Sequence, residues 1–211
     1  MNIDVLLYDG FDELDGIGPY EVFDYAMDFA AESDDRAGRV RYVALDERDS
    51  VTASHGTRVG VDDVLADPEA DDAPDLLVVP GGGWSARDEE ASAWAEAQKG
   101  DVPRALAAHH AGGTRIASLC TGAMLLAEAG VTDGRRAVTH AAAIDELRES
   151  GAEVVDARVV DDGDLLSAGG VTSGIDLALY IVEQEFGPGV AARIETVIEY
   201  DRQHEVAGRG E

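Results

Sequence analysis

The chain has 211 residues, of which 44 are Asp or Glu and 16 are Lys or Arg, giving a formal net charge of −28 with 45% apolar content. That length and apolar fraction can bury a sizeable core, so one domain spanning 1–211 is expected. A field this negative repels phosphate backbones and excludes nucleic acid as a partner. No apolar run approaches the roughly 18 residues that cross a bilayer, and Met1 leads into NIDVLLYDG without a basic leader, so a cytoplasmic protein that does not engage membranes is expected.

Short apolar runs alternate with segments of helical period, the pattern of a parallel sheet covered on both faces. Residues 3–8 read as a first strand, followed by an acidic turn and a helix beginning near Gly18-Pro19, where proline is tolerated in a first turn. A second strand occupies 39–45, residues 51–64 read as a small hairpin excursion, and the Asp/Pro-rich 66–75 as a surface loop. A third strand, 76–79, stops at Pro80-Gly81-Gly82-Gly83, and a helix rich in Ala and Glu follows from about Ala86. The fourth strand, 114–119, meets a helix over 122–129 at Cys120-Thr121. Strands 136–140 and 154–160 flank a helix over 142–150, and strand 165–168 leads through Gly169-Gly170 into a helix over 173–186. A last helix, 190–203, precedes a frayed end. The fold class is α/β, a doubly wound, mostly parallel sheet with helices on both faces, flavodoxin-like.

In open parallel sheets ligands sit beyond the carboxyl ends of the strands, where the loops 12–18, 80–85 and 120–122 converge. Cys120, the single cysteine, stands between a buried strand and a helix. It reads as a nucleophile elbow, with the helix N-terminus favouring thiolate, or as an inert core residue; periodicity leaves both open. Gly82 and Gly83, with the Thr121 amide, form a candidate oxyanion and substrate-binding site, the competing reading being a plain tight turn. Asp15, between Leu14 and Ile17, turns inward or stays a surface carboxylate, and Glu21 reads equally as a solvated residue. His140 leans toward the cysteine rim or is a structural histidine. Gly169-Gly170-x-x-x-Gly174 reads as close strand-to-helix packing rather than a dinucleotide fingerprint. Adjacent His109-His110 cannot both face one metal from a helix, so neither metal nor cofactor is expected.

Together FDELDGIGPYEVF, VVPGGG, IASLCTGAMLLAEAGVTDGRRAVTH and SAGGVTSGIDLALYIVE resemble the ThiJ/PfpI superfamily, within the class I glutamine amidotransferase-like fold, over nearly the whole chain. Within it the likeness is greatest to the isonitrile hydratase branch and to amidase-like domains fused to transcription regulators. The resemblance implies that Cys120 is the nucleophile and Asp15 its acidic partner. The protease-like branch carries His where this chain has Thr121, and the glyoxalase and protein-repair branch carries Glu where it has Asp15. Both differences point to hydration of a small isonitrile to an N-substituted formamide, with Thr121 orienting substrate or water. Two other roles use the same site. One is processing of an aldehyde such as methylglyoxal, with His140 carrying the proton, and the other is a non-enzymatic sensor or protective role through oxidation of Cys120. Members of the superfamily commonly pair through the first helix. Here Pro19, Tyr20, Val22, Phe23 and Tyr25 give that helix more apolar surface than one core-facing stripe needs, so a homodimer is expected.

Lys99 is the single lysine. With a net charge of −28, that composition reads as salt adaptation in a halophilic source, since self-repulsion fades as salt shortens the screening length. The melting temperature should therefore climb with KCl between about 0.1 M and about 1 M, where screening reaches roughly 3 Å. A flat thermal profile over that range would assign the acidity another cause.

Overall fold

The computed structural model describes residues 1–32, 38–203 and 205–208. In chain order the elements are β1 (Asn2–Leu6), α1 (Glu13–Ala31), β2 (Arg39–Ala44), β3 (Ser50–Thr52), β4 (Arg58–Gly60), β5 (Asp63–Val64) and β6 (Leu76–Val79). They continue with α2 (Ala93–Lys99), α3 (Asp101–Ala111), β7 (Arg115–Leu119), α4 (Gly122–Glu128), β8 (Arg136–Ala137), α5 (Ile144–Glu149) and β9 (Glu153–Val154). The last are β10 (Val159–Asp161), β11 (Leu165–Ala168), α6 (Ser173–Phe186), α7 (Pro188–Val197) and β12 (Val206–Ala207). Every residue of β6 and β11 is buried, as strands covered on both faces require. The main sheet has the order β12-β10-β11-β7-β6-β1-β2-β5, and within it only the β10–β11 pair is antiparallel. Helices α1, α6 and α7 pack on one another, as do α2, α3 and α4, and these groups flank the sheet. This is the doubly wound α/β, flavodoxin-like architecture.

The local differences from the sequence reading have identifiable causes. Helix α1 begins at Glu13 rather than near Gly18, because the Asp12 side chain accepts from the Leu14 amide and caps it. Pro19 therefore lies inside the helix. The helix expected from Ala86 is displaced to α2, where the Ser92 hydroxyl accepts from the Ala95 amide, and Gly100 at φ +80° separates α2 from α3. Residues 84–92 are irregular. The expected strand 154–160 splits into β9 and β10, and strand 136–140 shortens to β8. The helix over 142–150 becomes a 3₁₀ turn, Ala141–Ala143, followed by α5. The last helix ends at Val197, with Glu199 at φ +50°, and the chain then adds β12 to the sheet edge. A Cβ at Gly174 would lie 2.2 Å from Leu119 Cδ2, so this glycine serves strand-to-helix packing.

The apolar residues of α1 are largely used within the chain. Pro19, Val22 and Phe23 are buried, Tyr20 stacks on Tyr42 at 4.1 Å, and Tyr25 meets Phe29 at 5.8 Å. Leu14, at 37% exposure, is the large apolar residue that α1 leaves to solvent.

One ion pair ties the first two strands. Asp4 of β1 is fully buried and stands in register with Arg41 of β2, whose Nε and Nη2 donate to its two carboxylate oxygens at 2.8 and 3.1 Å. Removing one partner of such a pair strands a buried charge, at a cost of about 3–5 kcal/mol. Arg41→Met should lower the denaturant midpoint by a corresponding amount, and adding Asp4→Asn should recover part of it. A single variant as stable as the parent would show that Asp4 does not depend on Arg41.

Candidate active site

Strand order reverses at β1 and β6, because the chain leaves β1 toward β2 on one side and returns to β6 on the other. Crevices at such switch points hold ligands in doubly wound sheets. The turn after β1, the Pro80–Gly83 loop after β6 and the β7–α4 junction meet there.

Cys120 occupies that junction with φ +51°, a left-handed conformation that costs a non-glycine residue about 1–2 kcal/mol. Neighbouring strands hold it: its amide donates to the Ala168 carbonyl at 3.1 Å, and its carbonyl accepts from Thr139 Oγ1 at 2.9 Å. The loops on either side approach too closely for side chains. A Cβ at Gly122 would lie 2.2 Å from the Val79 carbonyl oxygen, and one at Gly81 would lie 2.5 Å from the Thr121 amide nitrogen. The elbow expected from sequence is therefore present, and its thiol is 7% exposed at the floor of a cavity of about 200 Å³.

Asp15, in the first turn of α1, is fully buried. Its Oδ2 accepts from the Gly81 amide at 3.0 Å, whereas Oδ1 makes no hydrogen bond of ordinary geometry among the described residues. Burial, reinforced by the charge of Asp12, pushes its pKa up to about 8, while the Gly81 amide and the Cys120 thiol pull in the opposite direction. Asp15 thus holds its proton at neutral pH. Burial also pushes the Cys120 thiol up, and the Asp15 charge adds to this against the Thr121 amide. This corrects the expectation that the helix end would win and leave a thiolate. Helix α4 has only seven residues, and desolvation with a facing carboxyl outweighs the amide. The two groups titrate as a pair.

Thr121 and the glycine loop also differ from expectation in one respect. The Gly82 amide donates to Thr121 Oγ1 at 3.0 Å, so Gly82 is committed to positioning Thr121 and is not a free anion donor. Thr121 keeps its own O–H to donate. Gly83, at φ +66°, lines the cavity, and its amide has no acceptor among the described residues. His140 lines the same cavity as Cys120. Its Nδ1 accepts from the Ala142 amide at 3.1 Å, which in the neutral ring leaves the proton on Nε2. Glu21 is exposed. His109 contacts Thr114 and the Ala66 carbonyl while His110 contacts Asp164, so the adjacent histidines serve separate places.

Sequence reasoning missed Trp84, which lines the cavity directly after the glycine loop, and Tyr8, whose phenol donates to the Pro80 carbonyl at 2.7 Å beneath that loop. A tryptophan adjoining a glycine-rich ligand loop was an available signal. Tyr8 looked only like the end of an apolar strand.

The fold and site define an α/β protein with a cysteine elbow and a buried carboxyl at its switch point. The DJ-1/PfpI family profile matches residues 1–184, and the chain belongs to that family. Isonitrile hydratase from Pseudomonas putida is 30% identical over 205 residues, spanning 95% of this chain and 78% of that protein. A deglycase from Thermococcus kodakarensis is 33% identical over 172 residues, spanning 80% of this chain and 89% of that protein. Among solved structures, a ThiJ/PfpI family protein from Pseudomonas syringae superposes with a TM-score of 0.80 at 26% identity, covering 96% of this chain and 76% of that one.

The raised acid has a consequence for stability. Above 3.8 the unfolded chain releases the Asp15 proton, whereas the folded chain keeps it until about pH 8. This contribution to stability is full below the unfolded value and is lost as pH rises through the folded one. Asp15→Asn abolishes that loss. Denaturant midpoints of the variant should gain on wild type between about pH 4 and about pH 8, by the order of a few kcal/mol. Parallel profiles would show that Asp15 ionises normally.

Proposed function

We propose that the protein is a cysteine-dependent hydro-lyase that adds water to a small isonitrile and releases an N-substituted formamide. The observation that carries this reading is a fully buried carboxyl, Asp15, whose Oδ2 accepts from the Gly81 amide at 3.0 Å and whose burial favours the protonated form beside the Cys120 thiol. An isonitrile needs both a proton and a nucleophile at its terminal carbon, and this pair offers both. The 30% identity to isonitrile hydratase supports the same chemistry.

Asp15 delivers its proton to the terminal carbon while the Cys120 sulfur bonds to it, and the thiol proton passes to the Asp15 carboxylate. The product is a thioimidate in which that carbon carries one hydrogen and the sulfur. Water then adds to the same carbon, the nitrogen takes a proton, and the carbon–sulfur bond breaks to regenerate the thiol. The Thr121 hydroxyl, oriented by the Gly82 amide, donates to substrate or water, and the Gly83 amide faces charge that develops beside the sulfur. In this reading the chain is a salt-adapted cytoplasmic homodimer acting on a small molecule, with the exposed Leu14 end of α1 in the contact.

A second reading, aldehyde processing of the glyoxalase or deglycase kind, is favoured by His140, whose ring shares the Cys120 cavity. Purified protein in molar KCl should convert an alkyl isonitrile to the formamide, and light scattering of that sample should give the mass of two chains. Cys120→Ala should abolish turnover, and Asp15→Asn should lower it by about 10²–10⁴, the usual worth of a positioned acid. Wild-type turnover equal to the Cys120→Ala background rejects the hydratase. Turnover of methylglyoxal instead establishes the second reading, and no turnover with peroxide oxidation confined to Cys120 establishes the sensor role.

A further inference from the structure

We propose that Trp84 is the specificity-determining wall of the Cys120 cavity and that an Arg87–Glu146 latch holds it in place, so that the site admits compact apolar groups and rejects bulky ones. The proposal rests on the reading of Cys120 as the reacting group. Trp84 is 2% exposed and lines the same cavity as Cys120. Its position is fixed from several directions. The indole Nε1 donates to Glu146 Oε2 at 3.1 Å, and the Arg87 guanidinium donates to the same oxygen at 2.7 Å. That guanidinium lies 3.8 Å from the Trp94 ring centre and 5.4 Å from that of Trp84, and the two indoles meet edge to face at 5.1 Å.

The backbone supports the same reading. Arg87 has φ +54°, a conformation that a residue with a side chain keeps only where its surroundings over-determine it. Here the surroundings are the latch. Glu146 belongs to α5, the helix that follows His140, so the latch joins the irregular strap carrying Trp84 to the segment carrying His140. The cavity holds about 200 Å³, below the roughly 300–1,000 Å³ common for ligand pockets. A large ring pinned at that edge limits the substituent that can accompany a reacting carbon to the sulfur.

The test uses the whole protein and Cys120 as its own reporter. Second-order alkylation rates are measured with iodoacetamide and with the bulkier N-benzylmaleimide in wild type, Trp84→Leu and Glu146→Gln, and the ratio of the two rates is compared. Changes in thiol reactivity common to both reagents cancel in that ratio. The iodoacetamide preference should fall about tenfold in Trp84→Leu, at the low end of what a hydrophobic pocket discriminates per added group. It should fall by a smaller factor in Glu146→Gln, which keeps the indole but loses the latch charge. If Trp84→Leu does not fold, Glu146→Gln decides alone. An unchanged ratio, or no alkylation of the wild type by either reagent, overturns the assignment. No turnover enters the readout. A falling ratio in a protein that hydrates no isonitrile removes the hydratase and leaves the wall, and an unchanged ratio in an active hydratase does the reverse.

Discussion

A left-handed backbone at a residue that carries a side chain is a local loss that tertiary contacts must offset, and at Cys120 they come from segments far apart in the chain. The Ala168 carbonyl at the end of β11 and the Thr139 hydroxyl beyond β8 both bond to Cys120, and the glycine approaches after β6 and β7 pack the loops on either side of it. The parallel register brings these ends level, with Leu119 opposite Ala168 and Val79 opposite Ser118. A slip in register would remove the carbonyl from the Cys120 amide and leave the strain unsupported. The elbow and the sheet therefore stand or fall together, and the position of the Cys120 thiol follows from strand alignment.

The chemistry of the site follows from how three buried carboxyls differ. Asp4 meets the Arg41 guanidinium, and Asp176 meets Arg158 together with the Tyr200 hydroxyl and the Gln203 amide. Asp15 receives one backbone amide and faces the charge of Asp12 and the Cys120 thiol, with no guanidinium beside it among the described residues. With no cation facing it among those residues, Asp15 is pushed by burial to a pKa of about 8. An acid that remains protonated beside a thiol is the combination that protonation and nucleophilic addition at one carbon require. The same coupling explains why the thiol is not the thiolate that a helix terminus suggests.

The strap of residues 84–92 gives the pocket its particular shape. It replaces an expected helical turn, carries Trp84 into the cavity and ends at the Ser92 cap that starts α2. Its anchors are Glu146 from α5 and the edge-to-face pair of indoles, Trp84 and Trp94, so this side of the cavity is built from segments far apart in the chain.

Much of this protein was legible before any coordinates. The apolar run at 76–79 and the mostly apolar 165–168, each bounded by turn residues, read as buried strands, and the alternation with helical segments points to a parallel sheet. The VVPGGG and LCTGA segments mark the loops that meet at the site, because only glycine permits such approaches. Short-range signals failed where two of them competed, as when Pro19 suggested a helix start that Asp12 makes seven residues earlier. What sequence alone determined was the fold class and the strand-to-helix position of Cys120, written in local patterns of burial and turn chemistry, whereas Asp15 was singled out by the resemblance to the ThiJ/PfpI superfamily. Which amides remain free, where the proton of the Asp15 and Cys120 pair resides, and which ring walls the cavity were decided only by tertiary structure. Each depends on desolvation and on distances between residues dozens of positions apart, which no local pattern encodes.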